Sequence, residues 1–136
     1  MARFAWTEDL NTGNPLLDGD HRQLVALINA LFEAMEGSPP GSAIGKAMSD
    51  LVAYTQEHFG REEAEMERVG YVASLAHRSE HAKLIRQIVE LKTILETGGK
   101  INAPAVSEFL SEWLHRHIVT ADMKLAAALK RGTQAR

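Results

Sequence analysis

The sequence predicts an all-α protein, an up-down-up-down antiparallel four-helix bundle with an extended N-terminal arm. Glycine and proline residues divide the chain into four long segments, with breaks at 37–41, 70 and 98–104. Within each segment, apolar residues recur at the spacing of one helix face. The breaks are short, and short connections favour neighbouring antiparallel helices.

The expected domain organisation is simple, because 136 residues are enough to bury one core without disulfides. We expect a single domain over 1–136, with an arm at 1–17 and helices at about 18–36, 42–69, 74–97 and 103–130. Asp18 or Asp20 can cap the start of the first helix. Ser42 can cap the second helix and Asn102 the fourth. The arm lacks a helical period but contains several apolar residues, so we expect it to lie against the bundle.

Composition excludes several functional classes. The chain has no cysteine, which removes disulfides, thiolate metal sites, iron–sulfur clusters and cysteine nucleophiles. A formal net charge of −3 with mixed signs gives no broad basic field for nucleic acid. No stretch approaches the roughly 20 apolar residues that cross a bilayer, and the polar N-terminus lacks the apolar run of a secretory signal. We therefore expect a cytoplasmic protein without nucleic-acid binding or membrane insertion.

Five of the six histidines fall on the apolar faces of the predicted helices. They are His21, His58, His77, His81 and His117. The second helix adds Glu62, four residues after His58 on the same face. A lone histidine on such a face is usually a core residue bonded to a carbonyl. Five of them with a glutamate favour a metal centre, because each buried polar group without a partner costs about 1–3 kcal/mol.

The spacing of these residues also fits a metal centre. His77 and His81 are four residues apart, so they stack one turn apart on a helix and can bind one ion. The predicted ligands lie near the starts of the first and third helices and nearer the ends of the others, which places all of them at one end of an antiparallel bundle. Imidazoles and carboxylates suit iron, manganese, zinc or copper. Five histidines exceed what one tetrahedral zinc binds, so we predict two adjacent metal ions.

Four motifs in chain order give the sequence a resemblance to a known family. They are D-x-x-H at Asp18–His21, H-F-x-x-E-E at His58–Glu63, H-x-x-x-H at His77–His81, and W-L-x-x-H-I-x-x-x-D at Trp113–Asp122. Each motif is weak alone, but the four in order at helix spacing are specific. With them the chain resembles the hemerythrin family in its single-domain bacterial form. The resemblance covers essentially the whole chain, including the aromatic arm around Phe4 and Trp6.

The resemblance implies a non-heme diiron centre whose two iron ions share an oxo or hydroxo bridge. The terminal ligands that it implies are His77, His81 and His117 on one iron, and His21 and His58 on the other. Glu62 and Asp122 would bridge the two ions. The second iron would keep an open position, at which the family binds dioxygen reversibly.

The resemblance also implies a dry oxygen pocket beside the open position. The residues that match the pocket positions of the family are Leu24, Phe59, Trp113, Leu114 and Ile118. Ordinary core packing accounts for the same apolar residues, and both interpretations can hold together. The set contains no acid, base or nucleophile, which favours a binding protein over an enzyme.

Asp122 does not fit a regular helix. It follows His117 by five residues, which is a rotation of about 140° in an α-helix. The apolar line of the fourth helix slips by one residue at the same place, since it continues at Leu125 rather than at Lys124. We predict a π-bulge between His117 and Asp122, because such insertions commonly occur at functional sites. A wide apolar stripe without a bulge is the alternative.

Two further polar residues, Asp20 and His115, stand at positions that the motifs leave unspecified, and neither is a predicted ligand. Asp20 stands where the family commonly has a glutamine, and we prefer a helix cap to a hydrogen bond that orients His21. His115 lies about 200° around the helix from His117 and should face outward.

The function that we expect is storage, transport or delivery of dioxygen by a monomer whose protein partner is unknown. An oxygen or redox sensor is one alternative, and a diiron enzyme such as an oxidase or peroxidase is another. Oxidising enzymes of the ferritin-like bundles use carboxylate-rich sites with Glu-x-x-His at i, i+3. This chain has i, i+4 pairs and mostly neutral imidazoles, which makes an enzyme the weaker alternative.

Overall fold

A computed structural model describes residues 4–36, 42–100 and 102–134, and within these ranges all the regular elements are helices. The α-helices are α1 Pro15–Glu36, α2 Ser42–Arg68, α3 Ser74–Glu96, α4 Ala103–His117 and α5 Met123–Gln134. A π-helical turn, Ile118–Asp122, joins α4 to α5 so that they form one continuous fourth rod. The predicted all-α four-helix bundle is confirmed. Among the described helices, none is long and apolar enough to cross a membrane.

Buried apolar residues form two clusters with a polar layer between them. The larger cluster fills most of the bundle and includes Leu24, Phe32, Met48, Ile88 and Leu114. The smaller cluster contains Leu17, Met66, Leu125, Ala126 and Leu129. On α1, Leu17 belongs to the smaller cluster and Leu24 to the larger one, and the buried His21 lies between them. The polar layer is therefore shielded from solvent by apolar packing on both sides.

The first helix begins at Pro15, three residues earlier than the predicted start at 18. Asn14 caps it, since its side-chain oxygen accepts a hydrogen bond from the Leu17 N–H at 3.0 Å. Pro15 is suited to the first turn, where a backbone N–H has no helical partner. The predicted cap Asp18 instead accepts hydrogen bonds from the N–H (2.9 Å) and hydroxyl (2.7 Å) of Thr12, which fastens the arm to α1.

The N-terminal arm packs against the bundle over its described length. Phe4 is buried, and its N–H and carbonyl both bond to the amide of Asn29 on α1, at 2.8 and 2.9 Å. The arm is not extended throughout, because Glu8–Leu10 form a 3-10 turn. In that turn Asp9 lies 2.8 Å from Nε2 of His115, so the arm also reaches α4. His115 is exposed, as the sequence predicts.

The remaining helix ends agree with the sequence in most cases. The side chain of Asn102 accepts a hydrogen bond from the Ala105 N–H at 3.0 Å, which confirms it as a cap. Gly70 has a positive φ of 60°, and this left-handed conformation lets the chain turn after α2. The predicted cap at Ser42 falls on a side chain outside the described part of the chain. The fourth rod continues to Gln134, four residues beyond the predicted end.

Candidate metal site

The polar layer brings together all seven side chains that the sequence predicts as metal ligands. They are His21 on α1, His58 and Glu62 on α2, His77 and His81 on α3, His117 on α4, and Asp122 in the π-helical turn. Each of these residues is at most 3% exposed. Burying so many polar groups is very unfavourable unless each is paired or binds an ion.

Glu62 directs one oxygen toward each of two pairs of histidines. Its Oε1 lies 3.0 Å from Nε2 of His77 and 3.1 Å from Nε2 of His81. Its Oε2 lies 2.6 Å from Nε2 of His58 and 3.5 Å from Nε2 of His21. The carboxylate of Glu62 therefore lies between the histidines of α3 and those of α1 and α2.

Asp122 divides the histidines in the same way. Its Oδ1 lies 3.0 Å from Nε2 of His77 and 3.3 Å from Nε2 of His117. Its Oδ2 lies 2.8 Å from Nε2 of His21. Two groups of histidines thus face each other across the two carboxylates. The three-histidine group is His77, His81 and His117, and the two-histidine group is His21 and His58.

Many of the buried ligand atoms in this layer lie close to one another, but they form no hydrogen bond among the described residues. They are both ring nitrogens of His21 and of His117, Nε2 of His81, Oε2 of Glu62 and both oxygens of Asp122. Folded proteins seldom leave buried polar atoms unpaired, and such atoms call for an explanation such as a bound ion. Two sets of four residues each offer ligand atoms within 4.8 Å of one another, one set around each histidine group. The residues present therefore fit a pair of metal cations.

The π-helical turn aligns Asp122 with the other ligands. The N–H of Met123 donates to the carbonyl of Ile118, five residues back rather than the four of an α-helix. The extra residue in the turn returns Asp122 to the face that carries His117, and it leaves Leu125 fully buried one turn later. The predicted π-bulge is confirmed, and the alternative of a regular helix with a wide apolar stripe is wrong.

The charges in the layer favour carboxylates facing cations. Burial opposes protonation of His21, but contacts with Asp122 and Glu62 outweigh it and raise its pKa to about 9. Contacts with the same two carboxylates raise the pKa of His77 to about 9 against the effect of burial. Burial alone would raise the pKa of Glu62, yet contacts with four histidines hold it well below the ordinary value. The pKa of Asp122 is also lowered, because histidine contacts outweigh burial and the charge of Glu62.

Asp20 is not a helix cap, so that prediction was wrong. It lies inside α1 because the helix begins earlier, and its buried carboxylate faces α2. Nδ1–H of His58 donates to Asp20 Oδ2 at 2.9 Å, and Arg61 donates to both oxygens of Asp20, at 2.8 and 3.0 Å. The Tyr54 hydroxyl donates to Oδ1 at 2.8 Å. The alternative of an orienting hydrogen bond was therefore closer, but its partner is His58 and not His21.

Tyr54 and Arg61 are site residues that the sequence reasoning missed. They lie four residues before and three residues after His58, so the three side chains share one face of α2. That spacing was the available signal, since an arginine and a tyrosine beside a predicted buried histidine need an acidic partner. Burial would raise the pKa of Asp20, but hydrogen bonds from Arg61, His58 and Tyr54 lower it below its ordinary value.

Two members of the three-histidine group also have carboxylates near their Nδ1 atoms. Glu63 lies 3.0 Å from Nδ1 of His81, and Glu80 lies 3.8 Å from Nδ1 of His117. Both carboxylates are more exposed than that of Asp20, with 32% and 54% of their side-chain surface accessible against 11%. Carboxylates beside the distal nitrogen of a ligand histidine fix its tautomer and orientation.

A small apolar cavity of about 20 Å³ lies in the larger cluster beside the polar layer. The side chains around it are Leu24, Ile28, Leu51, Thr55, Phe59, Leu84, Ile88, Leu110, Trp113 and Leu114. Four of the five predicted pocket residues are among them, whereas Ile118 is fully buried but does not line this cavity. The hydroxyl of Thr55, which is one of these side chains, donates a hydrogen bond to the carbonyl of Leu51 at 2.6 Å. Roughly 10–15 Å³ suffices for one water, so the cavity can hold one small molecule.

Aromatic rings connect this cavity to the candidate ligands. Phe59 is stacked on His81, with ring centroids 3.7 Å apart and planes 4° apart. Trp113 is stacked on His117 at 4.5 Å and 15°. Both aromatic residues line the cavity, and the ring of Phe59 is also 5.8 Å from that of His58, so the cavity adjoins both histidine groups.

Comparisons with known proteins agree with this geometry. Residues 12–129 match the family described as Hemerythrin HHE cation binding domain. A bacteriohemerythrin of Pseudomonas paraeruginosa is 35% identical over 130 residues, which are 96% of this chain and 84% of that protein. A bacteriohemerythrin of Methylococcus capsulatus is 32% identical over 124 residues, or 90% of this chain and 93% of that protein. The crystal structure of a wild-type hemerythrin superimposes with a TM-score of 0.88 at 29% identity, covering 94% of this chain and 98% of its own.

Proposed function

Because the chain belongs to the hemerythrin family, we propose that it binds dioxygen reversibly at a centre of two non-heme iron ions with an oxo or hydroxo bridge. The observation that carries the proposal is the division of the carboxylate oxygens. One oxygen of Glu62 and one of Asp122 face the three-histidine group, and the other two face the two-histidine group. A carboxylate that offers one oxygen to each of two sites is suited to bridging two cations.

The ligand assignment follows from this division. We propose that the three-histidine group holds one iron and the two-histidine group the other, with Glu62 and Asp122 bridging. The two-histidine group offers one imidazole fewer, so its ion has a position for an external ligand. Two ferrous ions bring four positive charges, of which the two carboxylates neutralise two. A bridging hydroxide would reduce the surplus further and so make burial of the ions less costly.

The surroundings of the site favour binding over turnover. Two ferrous ions bound here would supply the electrons for reversible dioxygen binding. The chain keeps the adjoining cavity apolar, and the described residues that line it include no titratable group. Because the side chains that line the cavity offer bound dioxygen no titratable group, the gas can leave unchanged. We therefore propose storage, transport or delivery of dioxygen rather than an enzymatic reaction, in the cytoplasm.

Iron loading and a gas-exchange cycle test the proposal. The anaerobic protein is loaded with ferrous iron, the iron per chain is measured, and visible spectra are recorded after adding air and again after removing it. We expect two iron ions per chain and an absorption change that reverses. Binding of a single ion, or a change that does not reverse, would contradict the proposal.

Two histidines of α4 provide a matched pair of variants for this test. His117→Gln removes a member of the three-histidine group and should lower the iron content below two per chain. His115→Gln changes an exposed residue two positions away, which faces the arm. It should keep two iron ions per chain and the reversible spectrum. Equal iron contents in the two variants would contradict the assignment of His117.

A further inference from the structure

A charged network lies behind His58, on the side away from the two carboxylates of the polar layer. Its centre is Asp20, which accepts hydrogen bonds from His58, from Tyr54 and, through both oxygens, from Arg61. The guanidinium of Arg61 also lies 5.4 Å from the ring centroid of Tyr54. Three side chains thus fix the position of one buried carboxylate.

This network differs from the other carboxylates near ligand histidines. The side chain of Asp20 is 11% exposed, compared with 32% for Glu63 and 54% for Glu80. Of these three carboxylates, Asp20 is the one that pairs with an arginine in the described part of the chain. The charge of a buried carboxylate acts over a longer range than that of a solvated one, and a bound guanidinium opposes it.

The bond to Asp20 determines which nitrogen of His58 faces the metal centre. An ionised carboxylate only accepts hydrogen bonds, so Nδ1 of His58 carries the proton. Nε2, which points toward Glu62, then has its lone pair available for a cation. A carboxylate partner also makes the ring a stronger electron donor to a bound metal.

We propose that Asp20 is a positioning residue for His58, and that the opposed charges of Asp20 and Arg61 set the reduction potential of the metal bound by the two-histidine group. This inference rests on the proposed function for the presence of the metal pair. The negative charge of Asp20 stabilises the more highly charged, ferric state of the metal. The positive charge of Arg61 partly cancels this stabilisation. Tyr54 contacts both Asp20 and Arg61 and so helps to fix their relative positions.

Substitutions that remove one charge each give a test with opposite signs. Reduction potentials are measured by spectroelectrochemistry on the iron-loaded protein and on its Asp20→Asn and Arg61→Met variants. Loss of the negative charge in Asp20→Asn should raise the potential, and loss of the positive charge in Arg61→Met should lower it. Structural damage alone would shift both variants in the same direction, and that result would overturn the inference.

Arg68→Met is the matched control for this experiment. Arg68 is an arginine of the same helix, is as exposed as Arg61, and pairs with Glu65 and not with Asp20. Its removal should leave the potential unchanged. If Asp20→Asn does not fold, the Arg61→Met variant still tests the inference, because an unchanged reduction potential in that variant overturns it.

Cobalt binding provides a second readout that needs neither iron nor dioxygen. Competition with a chelator measures the affinity of the protein for Co²⁺, and Asp20→Asn should lower it at least about tenfold. Wild-type protein that fails to bind two metal ions would refute the proposed function and this inference together. A different outcome would refute this inference alone. In that outcome the wild-type protein binds two ions, while the Co²⁺ affinity of Asp20→Asn and the reduction potential of Arg61→Met are both unchanged.

Discussion

Raising the pH should destabilise the protein after its metals are removed, and His21 and His77 set the size of the effect. Their pKa values are about 9 in the folded protein, against an ordinary value of 6.5. A raised pKa means that folding is favoured by protonation, so this stabilisation is complete below pH 6.5 and is lost as the pH approaches 9. Each histidine contributes about 3 kcal/mol. Because both contact Glu62 and Asp122, their contributions do not add fully, and we expect a total loss of about 3–6 kcal/mol.

Urea denaturation in the presence of a chelator measures this loss. With a slope of about 1–3 kcal/mol per molar urea, a loss of about 3 kcal/mol lowers the midpoint by about 1–3 M between pH 6.5 and 9. The variant His77→Gln should show a weaker pH dependence, because one of the two groups is gone. His115→Gln should keep the full dependence, since His115 lies outside the polar layer. Stability that is constant or rises over this range would refute the reasoning.

Three further predictions concern metal binding, the cavity and the π-helical turn. Near pH 7, metal binding should release at least about two protons per chain, because His21 and His77 must both lose a proton to bind, and a bridging hydroxide formed from water would release one more. Calorimetry in buffers of different ionisation enthalpy measures the number of protons, and zero would contradict the site. Leu114→Ala enlarges the cavity beside the site and admits water, so it should speed autoxidation, followed as decay of the oxygenated spectrum; an unchanged rate would count against this cavity as the oxygen pocket. Deleting Thr120 removes the extra residue of the turn and should keep the fold. Deleting the exposed Ala127 should instead rotate the end of α5 out of the core and lower the melting temperature. Equal melting temperatures for the two deletions would contradict the role of the turn.

The sequence was most informative where position and chemistry disagreed. A histidine such as His81 at a core position of an amphipathic helix is unfavourable without a partner, so a set of such positions identifies the site. The same reasoning located the π-bulge, because both Asp122 and Leu125 were one residue out of step with a regular helix. In each case the spacing along a single helix contained the information.

Features that depend on more than one helix were harder to predict. The predicted cap of the first helix was Asp18 or Asp20, whereas the observed cap is Asn14, which is an equally suitable capping residue by type. The partner of Asp20 depends on how α1 is rotated against α2, which is set by packing over the whole bundle. Sequence spacing could place Arg61 on the face of His58, but it could not place Asp20 opposite.

The π-helical turn also divides the fourth rod into two parts that pack into different apolar clusters. α4 packs into the larger cluster and carries His117, whereas α5 packs into the smaller cluster through Leu125 and Leu129. Asp122 is the last residue of the turn that connects these two parts. A displacement of α5 would therefore reach the centre through one carboxylate, while the five histidines stay anchored to the rest of the bundle.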